Sequence, residues 1–93
     1  MLRILSTSSE PVVTIRLEGK LRQAWVSEVR AAVATARAVS KASGATRVDL
    51  EGLTFVDQEG LELLSELAAG GVNLVGASPF VSALLANFAR RGR

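Results

Sequence analysis

Residues 12–19, VVTIRLEG, alternate along the chain: Val13, Ile15 and Leu17 fall on one side, Val12, Thr14 and Arg16 on the other. A period of two over this length predicts a half-buried strand, and Gly19 is expected to end it. Upstream, LRIL (2–5) reads as a short strand. STSSEP (6–11), with hydroxyls, a charge and a proline, reads as a turn, so the chain is expected to open with a hairpin. From 21 to 40 the period changes. Trp25, Val29, Val33 and Ala36 recur three or four residues apart with Ala32 between, while Arg22, Glu28, Arg30 and Arg37 fall on other faces. Alanine favours helix, and the stripe gives it a buried side. SKASGAT (40–46) predicts a loop with Gly44 as the C-cap. RVDLEGLTFV (47–56) predicts a second strand region with Val48 and Leu50 on the buried side and a turn near Glu51-Gly52. The apolar run then stops at Asp57. Leu61, Leu63, Leu64 and Leu67 follow at helical spacing, which predicts a helix over 58–69, stopped by Gly70 and Gly71. VNLVGA (72–77) reads as a strand. Ser78 and Pro79 suit an N-cap and first helical position, and Val81, Leu84, Leu85 and Phe88 form one apolar face beyond them.

The order β-β-α-β-α-β-α predicts an α/β fold with a mixed sheet of about four strands. Strands separated by helices are normally parallel and joined by right-handed crossovers, and the opening hairpin adds an antiparallel edge. Thr14 and Arg16 read as solvated, so the helices are expected to cover mainly one face. A length of 93 residues suits one domain over 1–93. Such a domain buries roughly 60–65% of its unfolded surface. A hydrophobic fraction of 48% and a mean hydropathy of +0.30 supply the apolar area and argue against disorder. No apolar run approaches the ~18 residues that cross a bilayer. The start, MLRILSTSSEP, lacks the long apolar core of a signal peptide. A cytoplasmic protein without direct membrane insertion is expected.

The chain has no Cys, His or Tyr. That removes thiolate chemistry, imidazole bases and most transition-metal sites, and no cofactor or metal is expected. The net charge of +2 owes much to Arg90, Arg91 and Arg93, which read as a solvated helix end. Without an aromatic and basic stripe on which bases stack, nucleic acid is not an expected partner. Asp57 and Glu59 are a carboxylate pair, but on a convex corner with no base and no glycine-rich phosphate loop beside them. The expectation is a protein that is not an enzyme.

Asp57 reads instead as the N-cap of the second helix, worth about 0.5–2 kcal/mol. Glu59 gains from the same dipole field, and Gly60 lets the helix start approach the sheet or a partner closely. Glu59, Glu62 and Glu66, three and four apart, make an acidic stripe. The first helix carries mostly basic exposed residues, Arg22, Arg30, Arg37 and Lys41 among them. A stripe of one sign can steer a basic partner.

VDLEGLTFVDQEGLELLSEL followed by GGVNLVGASPFVSALL resembles the STAS domain, the fold of bacterial anti-sigma-factor antagonists. The resemblance spans about 12–88 and includes the earlier LEGKL. It implies a protein that docks a partner, an anti-sigma factor that is also a kinase, and so regulates transcription or signalling. In regulatory members the corner reads D-S-S-G or D-T-x-G, and the hydroxyl after the aspartate is phosphorylated. About two negative charges then appear at the docking surface and block it. Here Gln58 occupies that position and Glu59 the next, and an amide cannot accept a phosphoryl group. Thr54 lies on the strand side and the hydroxyls at 6–9 in the expected turn, so neither is expected to substitute. The partner-binding residues implied are Asp57, Gln58, Glu59, Gly60, Glu62 and Glu66. STAS-like small subunits also sit on the ATPase of bacterial lipid-transport ABC complexes, which is the alternative. The chain ends soon after the third helix, where many relatives continue, and that leaves an apolar edge and a homodimer open.

Overall fold

The computed structural model describes residues 2–9, 12–40 and 46–91. The elements run β1 (Leu2–Ser9), β2 (Val12–Leu21), α1 (Gln23–Ser40), β3 (Thr46–Val56), α2 (Gln58–Ala69), β4 (Asn73–Val75) and α3 (Pro79–Arg91). This is the expected α/β order. The four strands form one mixed sheet in the order β1-β2-β3-β4. β1 is antiparallel to β2, and the β2–β3 and β3–β4 pairs are parallel.

The side-chain periods build the core. Val13, Ile15 and Leu17 of β2 and Val48 and Leu50 of β3 are buried, as are Val29, Val33 and Ala36 of α1 and Leu63, Leu64 and Leu67 of α2. Val81 of α3 joins them, and Trp25, Ala32 and Leu85 pack around the margin. The alternate residues Thr14, Arg16 and Glu18 are only half-buried, which leaves one sheet face to the helices. On the open face Arg16 donates to Glu18 at 2.7 Å and lies 3.5 Å from Asp49 and 3.6 Å from Glu51. The bond to Glu18, and the charges of Glu18, Asp49 and Glu51, raise the pKa of the Arg16 guanidinium.

Four sequence expectations are corrected. β1 does not stop at residue 5: its register with β2 is unbroken from Leu2↔Gly19 to Ser9↔Val12. The residues at 6–9 are therefore strand, not turn, because each has a ladder partner that outweighs the turn preference of serine. β2 does not end at Gly19, since Lys20↔Phe55 and Leu21↔Val56 continue the parallel ladder. Leu21 is thereby a fully buried strand residue and α1 begins at Gln23. The expected turn at Glu51-Gly52 is a bulge within a continuous strand. The β2–β3 register slips between Arg16 and Glu18 and again between Gly19 and Lys20. Each slip puts one extra β3 residue opposite β2, which bends the strand without ending it. The third strand region, expected over 72–77, shrinks to Asn73–Val75. Gly76 leaves it at φ +72°, a left-handed conformation glycine adopts without the Cβ penalty. The expected C-cap at Gly44, and Lys41, lie outside the described residues.

α1 and α2 are laced by two arginines. Arg30 pairs with Glu66, and Arg37 Nη2 donates to the Gly70 carbonyl at 2.8 Å, closing the C-terminal end of α2. The side chains of Arg30 and Glu66 are 50% and 59% exposed, so solvent screens the pair. A double-mutant cycle with Arg30→Ala and Glu66→Ala is expected to return a coupling of about 0.2–1 kcal/mol in chemical denaturation. A coupling above that range would mean the pair is shielded from water.

Candidate functional site

β3 and α2 meet at a corner that three separate segments hold together. Asp57, half-buried, has extended backbone (φ −87°, ψ −177°) and turns the chain into α2. Its Oδ1 accepts the Gly60 N–H at 2.8 Å, the expected N-cap bond. Its Oδ2 accepts the N–H of Gln23 at 2.8 Å. Gln23 is the first residue of α1, so one carboxylate satisfies free donors at two helix starts and sits at the positive ends of both dipoles. The Asp57 N–H donates to the Leu21 carbonyl at 3.1 Å. The second bulge places Thr54 beside the same turn, where its hydroxyl donates to the Gly19 carbonyl at 3.0 Å.

Packing beneath the corner is as close as its hydrogen bonding. Gly60 is buried, and a Cβ placed on it would lie 2.8 Å from Val56 Cγ1 and 2.9 Å from Leu21 Cγ. Only a residue without a side chain lets α2 start so near β2 and β3. Above it, the Arg22 guanidinium lies 5.3 Å from the centre of the Phe55 ring. Such a cation–π contact contributes about 0.5–1 kcal/mol at exposed sites.

The structure separates the six implied site residues. Gln58, Glu59 and Glu62 are exposed, Asp57 faces inward with both oxygens engaged, and Gly60 lies below the surface. Glu66 is exposed but committed to Arg30. Glu59 and Glu62 make no ion pair among the described residues. The stripe is therefore shorter than its spacing suggests, and its open charge lies in the first turns of α2. Sequence reasoning missed Gln23, Arg22 and Phe55. Gln23 lies 34 residues from Asp57 and takes part through its backbone, so no residue-type pattern could have found it. Phe55 carried a signal: counted by twos it falls on the opposite face from Val48, Leu50 and Val56, which the strand buries.

No group of three or more Asp, Glu, His or Cys residues suited to a metal occurs among the described residues. No described helix is long and apolar enough to cross a membrane. The corner offers a preorganised end of the fold with an amide and two carboxylates outward and an arginine-covered ring beside them.

A scan of family models matches residues 5–89 to the model described as Mlab, STAS domain. A search of curated proteins finds no significant match. Among solved structures, the anti-sigma factor antagonist SpoIIAA in its unphosphorylated form is similar at 26% identity and TM-score 0.64, over 95% of this chain and 83% of that one. The Bacillus cell fate determinant SpoIIAA in its phosphorylated form is similar at 27% identity and TM-score 0.60, over 99% and 84%. An anti-sigma factor antagonist from Mycobacterium paratuberculosis shares the fold at TM-score 0.72 with 16% identity, over 99% and 79%.

Proposed function

Since the chain belongs to the STAS domain family, we propose that it is a non-catalytic docking module that binds a regulatory protein through the β3–α2 corner and the first turns of α2. Gln58, Glu59 and Glu62 meet the partner. Asp57 holds the two helix starts in register, and Gly60 sets how close α2 lies to the sheet. Glu66 extends the acidic side only where a partner displaces Arg30. The carrying observation is the Asp57 carboxylate bridging α1 and α2, which presents the exposed residues on a fixed frame. Little ordering entropy is then lost when a partner binds.

Regulation by phosphate at this corner is absent. SpoIIAA, similar in sequence and fold, is known in both unphosphorylated and phosphorylated forms. In this chain Gln58 stands where the family's acceptor hydroxyl is expected. Thr54, the nearest hydroxyl, is exposed but donates to the Gly19 carbonyl from the strand side. Gln58 also favours a second reading. A permanent subunit seated on the ATPase of a lipid-transport ABC complex needs no reversible release, and the amide gives none. In the first reading the partner is an anti-sigma factor or related kinase, and the site of action is the cytoplasm.

The test is capture of the partner from the native host with site-directed crosslinkers at Gln58 and Glu62, followed by purification of that partner. The wild-type chain is expected to bind it. Glu59→Lys with Glu62→Lys is expected to weaken binding at least tenfold, about 1.4 kcal/mol, while the thermal midpoint stays within a few degrees. Unchanged affinity would remove the corner from the interface. Incubation of the pair with ATP should leave 54–60 unmodified by mass spectrometry, and phosphate on Thr54 would refute the missing switch. The partner's own class, kinase-like or ABC ATPase, decides between the two readings.

A further inference from the structure

β1 forms one margin of the sheet, and among the described residues its only strand neighbour is β2. An edge strand carries a row of backbone N–H and C=O groups with no ladder partner, ready to pair with another strand. Proteins usually blunt such edges with charged side chains, lysine above all, with proline, a bulge, an inward charge, shortness or a covering helix or loop. The opposite margin is short, since β4 has three residues. Of these devices β1 has, among the described residues, only one charge near its start. It is eight residues long, LRILSTSS, and pairs with β2 without a register slip. It contains no Pro, Lys, Asp or Glu. Its one charge, Arg3, lies 3.7 Å from Glu18 of β2. Midway along it Leu5 is 36% exposed, one of three large apolar side chains left so open among the described residues.

We infer that β1 pairs antiparallel with β1 of a second copy of this chain, about a two-fold axis through Leu5, joining two sheets into one. The symmetry limits the register. An axis perpendicular to the sheet keeps the helix-covered faces on one side only when odd residues oppose odd and even oppose even. Placing Leu5 opposite Leu5 of the copy satisfies this. It sets Arg3 against Thr7, Ile4 against Ser6 and Leu2 against Ser8. No like charges meet, and the two exposed leucines cover one another as a cross-strand pair. Moving the axis to Ser6 keeps the parity but leaves Leu5 facing Thr7. Eight residues a side is well below the roughly 20–30 of a standard interface, so the dimer is weak and concentration-dependent. It uses a different surface from the β3–α2 corner and does not depend on the docking reading.

Because the chain has no cysteine, single thiols report the geometry directly. Leu5→Cys under mild oxidation is expected to convert most of the protein to a disulfide dimer. Phe80→Cys, at the 59% exposed side chain on α3, should remain mostly monomeric. Arg3→Cys mixed with Thr7→Cys should crosslink between the two variants more than either does alone, and this arm stands if Leu5→Cys fails to fold. In sedimentation velocity the wild-type chain should shift from monomer toward dimer as concentration rises. Leu5→Lys, which sets two like charges on the axis, should abolish the shift while circular dichroism is unchanged. A wild-type chain that stays monomeric at every attainable concentration would overturn the proposal and leave an extended segment of another protein as the occupant of this edge. A dimer that crosslinks no better through Leu5 than through Phe80 would overturn it as well.

Discussion

Replacing Asp57 with alanine is expected to lower the unfolding free energy by about 2–3 kcal/mol, more than loss of an N-cap alone. The cap bond to Gly60 is worth about 0.5–2 kcal/mol. The second carboxylate oxygen holds the Gln23 N–H at 2.8 Å, and hydrogen bonds to charged groups contribute about 1.5–3 kcal/mol before discounting for solvent. Gln23 is exposed, so water replaces part of that bond and the sum falls short of the two maxima. Asp57→Asn separates the contributions. Asparagine is as good an N-cap as aspartate, but its amide nitrogen cannot accept from a second N–H. Its cost should be about 1 kcal/mol, near half that of alanine. Urea unfolding with linear extrapolation resolves the difference. If both variants cost the same, the bond to α1 adds nothing and the corner is held by the cap alone.

Placing a branched side chain at Gly60 should be worse. Alanine gains about 1 kcal/mol of intrinsic helix preference over glycine, yet its Cβ would sit within 3 Å of Val56 Cγ1 and Leu21 Cγ. Both neighbours belong to the buried core, and overfilling a packed core costs about 1–3 kcal/mol. Gly60→Ala is therefore expected near zero to 2 kcal/mol destabilising. Gly60→Val adds two further methyl groups and the poorer helix preference of a branched residue. It should cost about 3 kcal/mol or more, a large part of the roughly 5–14 kcal/mol expected for a chain of this size. A valine variant as stable as wild type would show that α2 can pivot away from the sheet, and the fixed frame proposed for docking would fail with it.

Much of the architecture was legible because it rests on local periods. The switch from two-residue alternation in 12–19 to the helical stripe of Trp25, Val29, Val33 and Ala36 separates β2 from α1 without tertiary information. The Ser78 N-cap and the limits of α2 needed only local chemistry, and Ser78 Oγ does accept the Val81 N–H at 3.2 Å. Three of the four misreadings share one cause, and the fourth is the strand that Gly76 cuts short at Val75. Residues 6–9, Gly19 and Glu51-Gly52 all carry turn-forming residue types, and in each case a ladder partner holds the segment extended, within the hairpin for 6–9 and across the β2–β3 crossover for the other two. At the site, the cap role of Asp57 was readable from its neighbours. Its bond to α1, and the meeting of Arg22 with Phe55, depend on how two crossovers stack. The same holds for the pairing of Glu66 with Arg30, which shortens a stripe that spacing alone made continuous.

The bond from Asp57 to Gln23 closes a loop of 34 residues, and that separation has a kinetic meaning. Contacts so far apart must repay the entropy of bringing distant segments together, and they form after local helices and hairpins. The opening hairpin and α2 can begin to assemble by themselves, but the joint between the two helix starts exists only once β2 and β3 lie side by side. Whatever grips that end of the molecule thus grips a finished chain. A nascent or partly melted copy keeps Gln58, Glu59 and Glu62 together on α2 but lacks α1 fixed behind them, so docking as proposed favours the completed fold.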